Sequence, residues 1–140
     1  MAQQIEQVMT RRIQTVPRTA SLRQVARVMD EQKIGNVIVL DADGAMCGIL
    51  TDRDLVVRGV AAQRDLDTTQ VGDVCSDVSV KLPPTASVDD AVKLMRERAV
   101  RRIPVVRDGK ALGIVTIGDL ARAIDPKSAL AQISAAPPNN

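Results

Sequence analysis

The 140-residue chain contains no Phe, Tyr or Trp. Its core must therefore be built from Val, Ile, Leu, Met and Ala, and it has no ring on which a nucleic-acid base could stack. Single-strand nucleic-acid platforms depend on such rings. A formal net charge of only +2 offers no basic field instead, so no nucleic-acid partner is expected. His is absent as well. That removes the usual general base of nucleophilic catalysis. With only Cys47 and Cys75 present, it also excludes a Cys/His zinc site. The reading is therefore not an enzyme, with no catalytic residue and no metal ligand. The two cysteines could pair, but a reducing cytosol works against a disulfide, and packing as small apolar side chains is expected of each. No apolar run has the length of a membrane span, and residues 1–7 hold no signal-peptide core. A cytoplasmic protein with no membrane partner is expected.

What is present is a repeat. Hydrophobic residues make up 45% of the chain, spread along its length, enough for one compact domain or two very small ones. Pro17, Thr19, Ala20 and Ser21 read P-x-T-A-S, and Pro83, Thr85, Ala86 and Ser87 read the same 66 residues later. Met29 and Glu31 match Met95 and Glu97 at that offset. Gly48-Ile49-Leu50-Thr51 then matches Gly113-Ile114-Val115-Thr116, and Asp54-Leu55 matches Asp119-Leu120, at an offset of 65. One residue is thus missing from a turn of the second copy. A repeat of this kind defines the fold, each copy being one supersecondary unit.

Each copy reads the same way. Ser21 is placed as a helix N-cap with Gln24 as its capping-box partner, and Leu22, Val25, Ala26 and Met29 form one apolar helical stripe. Ser87 opens the second helix, with Val88, Ala91, Val92 and Met95 at the same spacing. The β-branched runs Val37-Ile38-Val39-Leu40 and Ile103-Pro104-Val105-Val106 predict buried strands. Asp41-Ala42-Asp43-Gly44 and Asp108-Gly109 are turn signals. Residues 48–51 and 112–116 return as second strands, and a short helix follows each. Lead-in strands are expected at residues 13–16 and 78–82. Pro104 lacks an N–H and should lie where the ladder bond is missing. The fold class is α/β (α+β), two βαββα repeats. The division is 8–58 for the first repeat, 59–73 for a linker, 74–125 for the second and 126–140 for a partly disordered tail, frayed at Pro137-Pro138-Asn139-Asn140.

With these residues in place, the chain resembles a CBS-domain pair, the tandem cystathionine-β-synthase-type module. The G-h-x-T-x-x-D-h signature (h apolar) stands twice: Gly48-Ile49-Leu50-Thr51-Asp52-Arg53-Asp54-Leu55 and Gly113-Ile114-Val115-Thr116-Ile117-Gly118-Asp119-Leu120. The resemblance covers about residues 8–124. Within that family the chain is similar to the stand-alone hypoxic-response proteins. The resemblance implies that the repeats pack around a pseudo-twofold axis into one module. It also implies that such modules often pair again, here as a homodimer. Their clefts take adenosine derivatives: AMP, ADP, ATP, NAD, S-adenosylmethionine or cyclic dinucleotides. No cofactor is required; AMP, ATP or NAD is the expected regulatory ligand, and an unidentified effector protein would read the response.

The chemistry of the motif agrees with that ligand. A strand that turns into a helix presents backbone N–H groups and a positive dipole end to a phosphate. Thr51 and Thr116 add hydroxyls, and Asp54 and Asp119 can accept from vicinal ribose hydroxyls. T-x-x-D is equally a helix-capping box, so capping and binding both remain open. Arg53 could reach a phosphate where its counterpart Gly118 cannot, and Asp52 is replaced by Ile117. The site containing Arg53 should prefer the more highly charged ligand. Arg101 and Arg102 could converge on a phosphate, or form a solvated edge or ion pairs with Glu97 or Asp108. On the resemblance, Thr15, Val16, Lys81 and Leu82 hold adenine through backbone groups, and Ile38, Ile103 and Pro104 lie in the matching strands, Ile38 and Pro104 lining the slot. Against a ligand-sensing module stands a dimerisation or adaptor module with vestigial clefts.

Overall fold

The computed structural model describes residues 3–77 and 80–136, so the Pro-Pro-Asn-Asn tail and the start of the lead-in at residue 78 lie outside the described residues. The chain divides into two compact units, Ile13–Val78 and Met1–Arg12 with Ser79–Asn140.

In the first unit, β1 (Thr15–Pro17) leads into α1 (Leu22–Gln32), then β2 (Asn36–Leu40) and β3 (Met46–Thr51). Helix α2 (Asp52–Asp54) follows β3 without a loop and continues as a π-helical turn (Leu55–Val60). A 3-10 turn (Val71–Asp73) and β4 (Ser76–Asp77) complete it. The sheet order is β1-β2-β3-β4, with β1 parallel to β2 and the other neighbours antiparallel. Helix α1 is capped as its sequence requires: Ser21 Oγ accepts from Gln24 N, and the Gln24 side chain accepts from Ser21 N. Its buried face is Leu22, Val25 and Met29, which meet Val37, Val39, Leu50 and Val71. Ala26, placed in that stripe from the sequence, is exposed.

The second unit repeats the frame. It runs α3 (Val88–Arg98), β5 (Arg102–Arg107), β6 (Lys110–Thr116), α4 (Ile117–Ile124) and α5 (Ala129–Ala135). Its core gathers Ile5, Met9, Val88, Ala91, Met95, Ile103, Val105 and Val115. The missing residue of this copy is in the hairpin. Asp108 and Gly109 take positive φ (52° and 79°) and join β5 to β6 as a two-residue turn. The first hairpin instead uses residues 41–45 between Leu40 and its partner Met46.

The segments that run into the lead-in strands, residues 5–10 and 71–77, are exchanged between the copies, whereas β1 and Leu82 stay with their own. Residues 5–10 pack on the second repeat: Ile5 N donates to Ala86 O (2.8 Å), and Thr10 pairs antiparallel with Ile114. Their counterparts 66 residues on pack on the first repeat, where Val71 N donates to Ala20 O (2.8 Å) and β4 pairs with β3. Each hairpin is therefore flanked on one side by the segment that precedes the other copy's lead-in strand.

Pro104 explains an inequality between the sheets. Ile38 N donates to Gln14 O (2.9 Å), and β1 pairs with β2 over three residues. Pro104 occupies the matching position and has no N–H to give. Among the described residues the second lead-in keeps a single bridge, Leu82 to Val105, with Leu82 N donating to Pro104 O at 3.1 Å.

Candidate functional site

The sheet pleat divides the candidate residues into two sets. Val16, Leu82 and Ile103 face the core of their own unit, so only their backbone is available to a ligand. Thr15, Ile38, Ile49 and Thr51 share the opposite face of the first sheet, where Thr15 is level with Ile38 and Ile38 with Ile49. Arg102 and Pro104, level with Thr116 and Ile114, do the same in the second sheet. Ile38 and Pro104 are themselves buried, whereas Thr15, Lys81, Arg101 and Arg102 are exposed. Among the described residues neither arginine pairs with Glu97 or Asp108; Glu97 meets Lys93 at 3.9 Å.

Both T-x-x-D segments fold into strand-to-helix corners with complete capping boxes. Thr51 Oγ1 accepts from Asp54 N (3.1 Å), and Asp54 Oδ2 accepts from Thr51 N (2.9 Å). Thr116 and Asp119 repeat these bonds at 3.1 and 2.9 Å. Contrary to the expectation from sequence, the first-turn N–H groups of α2 are not free for a phosphate. Asp52 N donates to Gly35 O (3.0 Å), Arg53 N to Asp52 Oδ1 (2.9 Å) and Asp54 N to Thr51. Phosphate recognition at this corner would fall to side chains, of which Arg53 is exposed.

Beyond the capping box the corners diverge. The Asp119 side chain is 1% exposed. Its oxygens also accept from Thr10 Oγ1 (3.2 Å to each) and from Arg122 one turn along α4. A buried carboxylate is stable only with such partners. Asp54 is 15% exposed, and among the described residues its Oδ1 is faced only by Arg58 Nε at 3.8 Å. Arg58 also donates to Val74 O (3.1 Å). The counterpart of Arg122 is Val57 and that of Thr10 is Ser76, so the second ring of partners is rebuilt more loosely. Asp54 keeps acceptor capacity that Asp119 has spent.

Helix α5, which no motif announced, adds to the difference. A Cβ on Gly118 would lie 2.5 Å from Ser134 Oγ, so glycine lets α5 lie against the start of α4. At the first corner the corresponding residue is the exposed Arg53. It borders an open recess of about 360 Å³ with Asp52, Val56 and Val57. A larger apolar groove, about 560 Å³, lies between α3 and α4 and includes Met95, Ile117, Leu120, Ile124 and Leu130 of α5. None of the motif Thr or Asp residues lines it. Among the described residues no group of three or more Cys, Asp or Glu side chains is placed to hold a metal ion, and no helix is long and apolar enough to cross a membrane.

A family model, CBS domain, matches residues 5–60 and 71–126. Hypoxic response protein 1 of Mycobacterium tuberculosis is 36% identical over 112 residues, covering 80% of this chain and 78% of that protein. The CBS domain-containing protein YhcV of Bacillus subtilis is 35% identical over 117 residues, covering 84% and 82%. Among solved structures, Hypoxic Response Protein I with two coordinated zinc ions superposes with a TM-score of 0.77 at 32% identity, covering 86% of this chain and 98% of that one.

Proposed function

The chain belongs to the CBS-domain family, and from that premise we propose that it is a cytoplasmic, non-catalytic regulatory module whose first corner binds an adenosine nucleotide. The observation that carries this reading is the open capping box at Thr51 and Asp54, beside an exposed arginine. Asp54 accepts from the ribose hydroxyls, Arg53 meets the phosphates, and the Thr15–Ile38 face supports the base with aliphatic surface and backbone groups. Thr116, Asp119, Lys81, Leu82, Arg102, Ile103 and Pro104 form the weaker counterpart. Binding would favour one conformation over another, and an effector protein would read that shift. The exposed apolar residues Val56, Val57, Val60, Ile117 and Ile124 support a homodimer of such pairs.

The sealed carboxylate of Asp119 favours a second reading for its own half, a structural corner whose cleft is vestigial. One experiment separates the two readings. Melting temperature is measured with AMP, ATP and NAD at millimolar concentration. A ligand that binds only the folded chain raises it by mass action. The expected result is a rise with at least one nucleotide, reduced in Asp54→Asn, which keeps an acceptor for Thr51 N. No rise with any of the three would leave the adaptor reading in place.

A further inference from the structure

The chain has two cysteines, 28 residues apart, and the fold brings both to one contact. Cys47 lies on β3, and Cys75 lies between the 3-10 turn and β4, where the exchanged segment crosses the first sheet. Their Sγ atoms are 4.0 Å apart, and both thiols are free and half-buried. The neighbouring residue makes room for them: a Cβ on Gly48 would sit 2.7 Å from Cys75 Sγ. The second repeat shows what packing alone requires here. Its residues at the matching positions are Met9 and Leu112, both apolar and both set against the core. Packing asks only for apolar side chains at this contact; the first copy supplies two thiols.

We propose that Cys47 and Cys75 are a covalent modification site, a dithiol that closes to an intramolecular disulfide when it meets a small-molecule disulfide of the glutathione class. The Cys47 thiolate attacks one sulfur of that oxidant, forms a mixed disulfide and releases one small thiol. The Cys75 sulfur then attacks Cys47 Sγ, forms the Cys47–Cys75 bond and releases the second small thiol. The two cysteine protons end on the released thiols, and the two electrons lost by the cysteines reduce the oxidant's S–S bond. The order of attack follows from the surroundings. Burial first, and the adjacent Cys47 sulfur second, push the Cys75 thiol up to about 11, which makes it a slow first nucleophile. Capping Cys47 in the mixed disulfide removes the second of these causes.

Closure draws the sulfurs from 4.0 Å to about 2.05 Å. Cys75 precedes a two-residue strand and sits in no regular element, so its backbone is the side that gives. The product staples the segment before the second copy's lead-in strand to β3, four residues before Thr51.

The test is titration of the purified full-length chain with oxidised glutathione, read by thiol counting under denaturing conditions, intact mass and peptide mapping. The expected product is a single chain with no cross-link to another and no free thiol, about 2 Da lighter, yielding one peptide pair joined through Cys47 and Cys75. Its melting temperature should rise by about 5–10 °C, since the cross-link closes a long loop of the unfolded chain. Cys47→Ser under the same oxidant should show no 2 Da loss and no such rise. The proposal is overturned if the treated wild type keeps both thiols, carries only glutathione adducts, or cross-links only between chains.

Discussion

The corner after β3 and the corner after β6 begin from the same two capping-box bonds and end in different surroundings. Both use threonine as N-cap and aspartate as the third helical residue. At the second corner the exchanged segment brings Thr10, α4 brings Arg122 and α5 closes over Gly118, so the carboxylate of Asp119 is enclosed by partners from its own chain. At the first corner Arg58 stands 3.8 Å off and Arg53 reaches outward. The same local motif therefore ends differently: in one copy the carboxylate is enclosed by protein partners, and in the other it keeps acceptor capacity, where we propose that a nucleotide binds.

The sharpest way to break this comparison is Asp119→Ala. It strips a capping partner from Thr116 N and leaves Arg122 and Thr10 without their acceptor, so a loss of about 3 kcal/mol is expected in denaturant unfolding. A loss below that of the equivalent change in the first copy would refute the sealed corner. Gly118→Arg, which writes the first copy's residue into the second, should cost about 2 kcal/mol by forcing α5 away from α4. Limited proteolysis should then cut after α4 sooner than in wild type.

The frame of this fold was legible because it is local. Ser21 with Gln24, Thr51 with Asp54, and the strands flanking Asp108-Gly109 all act across a few residues, and the structure realises each of them. What escaped the sequence acts at long range. Thr10 reaches Asp119 across 109 positions, so the exchange of these segments has no local signature. Helix α5 is seven residues long, too short to show an amphipathic period. The first N–H of α2, that of Asp52, is taken by Gly35 O, supplied by the loop after α1. Pro104 marks a missing ladder bond by its chemistry alone, and the structure adds the consequence: among the described residues, a lead-in strand reduced to one bridge.

Two smaller effects sharpen the contrast. Asp54→Ala should cost only about 1 kcal/mol, the value of a capping contact with weak further partners, while removing most of any nucleotide-induced rise in melting temperature. A stability loss as large as that of Asp119→Ala would mean that the first corner is sealed too. Arg53→Ala should leave stability within about 0.5 kcal/mol, as an exposed substitution does. Its signature is selective: it should weaken ATP more than AMP, because the proposed role of the arginine is to meet phosphate charge. Equal weakening of both would place Arg53 away from the phosphates.

Calorimetric titration of ATP into wild type, Asp54→Asn and Asp119→Asn tests the central claim most directly. If the corners differ as described, wild type binds one nucleotide per chain in its tighter phase, Asp54→Asn loses that phase, and folded Asp119→Asn retains it. Two equal sites, or loss of the tighter phase in Asp119→Asn alone, would contradict the account.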